Sequence, residues 1–222
     1  MAAKRAAIYG GTFDPVHNGH LKVARRVQKL FGIDELVFVP AYVPPHKRGA
    51  GITSPYHRFA MLALATQNDE SLRISRVELE QPDRPYAVHT VARAQEQLAA
   101  GSRLFFIMGA DSWSEITSWH DWQRLLTMCN HIVVSRPGYV LQPVAARAAN
   151  MLDVRGKTDE EIQALVGASS TANVFMTDAV FEDVSATTIR AAVLNGDGAA
   201  LSRMVPAGVA AYIAKYRLYR TQ

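Results

Sequence analysis

Short apolar runs alternate with longer segments of helical periodicity along most of the chain, and that alternation leaves few folds open. Strand candidates are Arg5 to Tyr9, Glu35 to Val39, Leu72 to Leu79, Arg103 to Met108, His131 to Ser135 and Asn173 to Met176. Between them, helices are expected over Asn18 to Phe31, Ser54 to Gln67, Val88 to Ala100, Ser185 to Leu194 and Pro206 to Tyr216. Asn18 can cap the first helix and Gly32 stops it, while Pro55 suits a first helical position. The pattern predicts an α/β fold, a doubly wound, mostly parallel sheet with helices on both faces. Nothing resembles a linker, repeat or low-complexity tract, so one domain is expected over 1–222, with a helical insertion around 139–171. In such sheets ligands bind outside the carboxyl ends of the strands, so chemistry is sought just after each strand.

Composition narrows the class further. At 222 residues and 49% hydrophobic the chain can bury a sizeable core, which sets it apart from disordered chains. Cys129 stands alone and cannot form an internal disulfide, which favours a reducing, cytoplasmic compartment. No signal peptide and no apolar run of membrane-spanning length is expected. Net charge is +4, but the basic residues are scattered and lack interleaved aromatics, so neither nucleic acid nor membrane is an expected partner. Small anionic ligands suit this charge better. A homo-oligomer stays open.

The first strand runs into Gly10-Gly11-Thr12-Phe13-Asp14-Pro15-Val16-His17-Asn18-Gly19-His20. Gly10 and Gly11 let the backbone come close to a ligand, and the helix behind them offers unpaired N–H groups and a positive dipole end. His17 and His20, three apart, can face one ligand there, and no acid occupies the first helical turns. A positive helix start flanked by imidazoles suits a phosphate. Zinc would require a third ligand, and the sole cysteine is far off in sequence, so no protein-held metal is expected. The pattern is neither a dinucleotide-binding glycine fingerprint nor a Walker A loop.

Val184-Ser185-Ala186-Thr187-Thr188-Ile189-Arg190 repeats the same physics. Ser185 can cap, Thr187 and Thr188 can offer hydroxyls, and Arg190 can reach back over the helix start. Lys47, in the Pro-rich loop after the second strand, can swing over a phosphate or remain a solvated loop charge. After the 103–108 strand, Gly109 and Asp111 suit a ribose hydroxyl or a helix cap. Trp119 can stack on a ring or simply pack, and Arg136 stands at another strand end.

GGTFDPVHNGH together with VSATTIR resembles the paired signatures of the HxGH nucleotidyltransferase superfamily. With PPHK at 44–47, GADSW at 109–113, the Trp119 segment and SRPG at 135–138, the chain is similar to the bacterial nicotinate-nucleotide adenylyltransferase family. The likeness runs from Gly10 to Arg190, with a tail from Val205 to Tyr219 like the family's closing helix. It implies a Rossmann-like fold and transfer of the adenylyl group of ATP, with Mg²⁺, to nicotinate mononucleotide, without a covalent intermediate. By the same resemblance His17, His20, Lys47 and Arg190 are catalytic. Gly10, Gly11, His20, Gly109, Asp111, Arg136, Ser185, Thr187 and Thr188 bind ATP, and Phe13, Lys47, Tyr86, Thr90 and Trp119 bind the acceptor. Where the family commonly reads Tyr-Thr-x-Asp-Thr, this chain has Tyr86-Ala87-Val88-His89-Thr90, leaving positions 87 and 89 without an inherited role. A transferase acting on nicotinamide mononucleotide or another phosphorylated acceptor, and a nucleotide sensor without turnover, are the competing readings.

Overall fold

Arg5–Gly11 forms β1, an apolar run ended by glycines, and Asn18–Phe31 forms α1, with Lys29 at its negative carboxyl end. The structure is a computed structural model and describes residues 4–42, 51–80, 86–135, 150–169, 171–178 and 184–220. In chain order there follow β2 (Glu35–Pro40), α2 (Pro55–Thr66), β3 (Leu72–Ile74), α3 (Ala87–Gln97), β4 (Arg103–Gly109), α4 (Ala110–Ser114) and α5 (Trp122–Met128). The rest are β5 (Asn130–Val134), β6 (Asn150–Asp153), α6 (Asp159–Ala168), β7 (Asn173–Thr177), α7 (Ala186–Leu194), α8 (Gly198–Met204) and α9 (Ala207–Lys215). The strands order as β3-β2-β1-β4-β5-β7-β6, and the pairs β1–β4, β4–β5, β5–β7 and β6–β7 are parallel. The α/β class with a parallel sheet is thus as expected. The strand order reverses between β1 and β4, which is where doubly wound sheets place their ligands. No helix among the described residues is long and apolar enough to cross a membrane.

The chain falls into two units. One comprises Met1–Gly10, Val23–Val37 and Tyr86–Phe181. Its core is the β1–β4–β5–β7 region, where Ala7, Phe105, Ile107, Ile132, Val133, Val174 and Phe175 have no exposed surface. Such continuous apolar strands are what a sheet covered on both faces requires. Phe31 packs between Phe105 and Phe175, its ring centroid 6.2 and 5.4 Å from theirs. Of the stretch expected as a helical insertion, the described part holds β6 as well as α6. Asn150 to Asp153 pairs with β7 in register at the sheet edge, where few residues suffice for a strand. α6 opens with a capping box between Thr158 and Glu161. The guanidinium of Arg103 donates to the carbonyls of Val166 and Gly167 at its other end.

The second unit comprises Gly11–Lys22, Phe38–Pro85 and Glu182–Gln222. It joins the loop after β1 to α2, α7, α8 and α9, with Met61, Leu62, Ile189, Val209 and Ile213 buried. Gly208 of α9 faces Leu64 of α2, where a Cβ would stand 3.6 Å from the leucine Cβ. The strand expected over Leu72 to Leu79 ends at Ile74. Ser75 Oγ accepts from the Val77 amide at 3.2 Å, and that local turn competes with the ladder.

Candidate active site

α1 begins in an unusual way. The His17 carbonyl accepts from the amides of His20 (3.0 Å) and Leu21 (3.3 Å), so His17 stands in the capping position. The His17 amide in turn donates to His20 Nδ1 at 3.3 Å, so an imidazole fills the place a glutamate takes in a capping box. That bond settles the tautomer: Nδ1 accepts, and Nε2 carries the proton. The two imidazoles stack with centroids 3.7 Å apart and planes at 28°. Burial, and then the neighbouring His17, hold the His20 pKa well below the ordinary histidine value. His20 is therefore a neutral imidazole in the first turn of α1. Asn18 is the first helical residue rather than the cap, and its side-chain amide donates to the Arg203 carbonyl at 3.0 Å.

Before this helix start, Phe13 adopts φ +52°, which turns its ring back under the loop. The ring meets His20 edge-on at 5.0 Å and Phe38 at 5.4 Å. A Cβ at Gly11 would stand 2.8 Å from Phe13 Cζ, and one at Gly10 would stand 3.2 Å from Phe106 Cζ. The room left by the glycine pair is thus taken by the chain's own rings. Asp14 is 6% exposed and fully engaged: Oδ2 accepts from the Thr53 amide at 3.2 Å and Oδ1 from the Tyr219 hydroxyl at 2.7 Å.

α7 starts as its sequence predicts. Ser185 Oγ accepts from the Thr188 amide at 3.1 Å, and the two hydroxyl oxygens are 2.8 Å apart. Arg190 reaches back to Thr187, Nη2 donating to its hydroxyl at 3.2 Å. Its Nη1 donates to the Asp14 carbonyl at 2.8 Å. This last bond, between residues 176 apart in sequence, joins α7 to the loop that leads into α1. Beneath them lies Arg58, with no exposed surface, donating to the carbonyls of Thr53, Thr12, Ala41 and Tyr42 at 2.7–2.9 Å. Burial lowers its pKa from the usual arginine value, while Asp14, Tyr219 and Glu78 favour the charged form.

In the other unit, Gly109 caps the short α4, with open space where its Cβ would stand, and Asp111 is exposed in the first turn. Tyr86 caps α3 and stacks on His120 at 4.4 Å, with His89 edge-on to Tyr86 at 5.9 Å and 6.0 Å from His120. Thr90 is buried one turn into the helix. Trp119 meets Phe106 edge-on at 6.3 Å. The structure so gathers Tyr86 and Thr90 on one helix start, with His89 and His120 added to them.

Lys47 and Arg136 lie outside the described residues. Phe13, His17, His20, Ser185, Thr187, Thr188 and Arg190 come together in the second unit. Gly10, Tyr86, Thr90, Gly109, Asp111 and Trp119 belong to the first. Sequence reasoning missed Asp14, Arg58, Tyr219, Phe106 and His120. Only Arg58 left a signal, standing three and four residues before the buried Met61 and Leu62 on one face of α2.

A cytidylyltransferase-like family model matches residues 8–192. A probable nicotinate-nucleotide adenylyltransferase of Tropheryma whipplei (strain Twist) is 33% identical over 212 residues, covering 96% of this chain and 98% of the relative. Its counterpart in Frankia alni is 37% identical over 213 residues, covering 96% and 99%. The solved structure of Plasmodium falciparum nicotinic acid mononucleotide adenylyltransferase complexed with NaAD shares the fold. Its TM-score is 0.71 at 19% identity, over 99% of this chain and 98% of that one. The family model and the relatives agree: the chain belongs to the cytidylyltransferase-like family, among relatives named nicotinate-nucleotide adenylyltransferase.

Proposed function

We propose that this chain transfers the adenylyl group of ATP to nicotinate mononucleotide, yielding deamido-NAD and pyrophosphate. The observation that carries the reading is the pair of helix starts joined through Arg190 and Asp14, with the stacked histidines at one of them. A phosphate oxygen of the mononucleotide attacks the α-phosphorus of ATP in line, and the bond from that phosphorus to the β-phosphate oxygen breaks. No protein nucleophile is required, so catalysis is positioning and electrostatics. The neutral His20 Nε2–H donates to a non-bridging α-phosphate oxygen as negative charge gathers there. Arg190 and the α7 start hold the triphosphate, with Lys47 and Arg136 adding charge. Gly109 and Asp111 take the ribose of the adenylate. Among the described residues no three His, Cys, Asp or Glu side chains gather as a metal site. Mg²⁺ brought in with ATP would be held chiefly by the triphosphate oxygens and would offset their charge. A cytoplasmic setting suits this chemistry and the buried free thiol of Cys129.

The acceptor pocket favours the acid over the amide. α3 begins at Ala87 with no acidic residue in its first turn, so its N–H groups and dipole attract a ring carboxylate. The amide turns an N–H₂ toward the same donors and leaves one unpaired, at a cost of about 1–3 kcal/mol. We expect kcat/KM at fixed ATP to be at least about tenfold higher for nicotinate mononucleotide than for its nicotinamide counterpart. Pyrophosphate release with each acceptor decides it. Equal values, or a preference for the amide, move the chain to another acceptor, and no release with any acceptor makes it a sensor.

A further inference from the structure

The helix α9 ends at Lys215, and the chain then makes a tight turn. The Arg217 amide returns to the Ala214 carbonyl and the Leu218 amide to the Ile213 carbonyl, at 3.3 and 3.1 Å. Arg217 and Tyr219 both take left-handed backbone conformations, φ +53° and +63°, which side chains of L residues rarely adopt. The two returning amides make a Schellman cap, which accounts for Arg217, while Tyr219 lies beyond the cap and persists in that conformation where contacts over-determine it. The Tyr219 hydroxyl donates to Asp14 Oδ1 at 2.7 Å, across 205 residues of sequence, and is also hydrogen-bonded to the Thr53 side chain.

Asp14 holds three things at once. Its carboxylate accepts from Tyr219 and from the Thr53 amide, and its carbonyl accepts from Arg190 Nη1. Three residues later comes His17, whose amide binds His20. A buried carboxylate short of one donor turns to find another, and the peptide carrying it turns too. Both the histidine pair and the Arg190 guanidinium then lose their reference point. Burial first, and Asp14 second, keep the Tyr219 phenol protonated well above its ordinary range, so it stays a donor.

We propose that Tyr219 is a positioning residue for adenylyl transfer, acting through Asp14 to set the geometry of His17, His20 and Arg190. The proposal rests on the function given above and adds to it a latch from the C-terminal turn.

The test uses the full chain with Tyr219→Phe, which keeps the ring and removes the hydroxyl, beside Tyr56→Phe at an exposed position. Tyr219→Phe is expected to lower kcat about ten- to a hundredfold, with KM for ATP changing far less, while Tyr56→Phe leaves both unchanged. In an Asp14→Asn background the same substitution is expected to have a much smaller effect, because the shared step is already weakened. The side-chain imidazole resonances of His17 and His20 are expected to move in Tyr219→Phe and not in Tyr56→Phe. Full turnover per folded molecule with only a lowered melting temperature overturns the proposal, since the hydroxyl is then merely structural. An undiminished effect in the Asp14→Asn background also overturns it. If the unaltered chain releases no pyrophosphate with any acceptor, the functional reading fails by itself. Unmoved imidazole resonances then overturn the latch, and moved ones uphold the geometry.

Discussion

His20 accepts at Nδ1 from the His17 amide, and this contact decides what the side chain can offer a substrate. A protonated Nδ1 could not accept, so the bond and the depressed pKa both favour the neutral ring. We therefore expect His20→Ala and His17→Ala each to lower kcat by about 10²–10³ while weakening ATP binding much less. The pH profile checks the protonation state. A neutral donor keeps kcat level from about pH 6 to 8, whereas an imidazolium of ordinary pKa loses rate as pH rises through 6.5. A fall in rate through that range removes the neutral donor from the mechanism. The two histidines were legible because three-residue spacing on a helix start is a local pattern. Asp14 was not, since its partners Thr53 and Tyr219 stand 39 and 205 residues away and nothing local marks them.

Elements carry the second level of control, and α7 is the clearest instance. Its start presents Thr187 and Thr188, exposed beside a Ser185 cap, and Arg190 spans from Thr187 to the loop before α1. A forked guanidinium makes both bonds in one plane, while an ammonium has one centre and cannot reach both. Arg190→Lys is expected to weaken ATP binding about tenfold, read by calorimetry, with charge conserved. Unchanged affinity would sink the role of Arg190. Ser185→Ala is expected to cost about 1 kcal/mol of stability through the lost cap, visible in denaturant titration. Helix α1 is legible in extent, though not in its cap, because its apolar spacing is long and glycine ends it. The seven-residue α8 is not, because Asp197-Gly198 marks a turn as readily as the cap it forms at Ala200. Neither is the early end of β3, where one serine hydroxyl diverts the backbone.

At the scale of the whole molecule, alternation made the α/β class legible, but not the strand order or the edge strand β6, which depend on pairings far apart in sequence. One residue of that sheet ties stability to pH. His131 lies in β5 opposite Phe106 of β4 and Val174 of β7, with no exposed surface. Burial pushes its pKa down to about 4, against which a contact with Cys129 pulls weakly upward. The folded state thus prefers the neutral ring, while the unfolded chain takes up a proton near 6.5. The stability this preference supports is complete above pH 6.5 and is lost as pH falls from there toward 4. By pH 5 the loss attributable to His131 is about 2 kcal/mol, or roughly 4–8 °C in melting temperature for a chain of this size. His20, depressed in the same direction, adds to the acid sensitivity, so the comparison must isolate one residue. His131→Leu fills the same apolar site and has nothing to protonate. Its melting temperature should fall less between pH 7 and pH 5 than that of the unaltered chain, whatever its value at pH 7. Equal falls in the two proteins would show that His131 already binds its proton in the folded sheet.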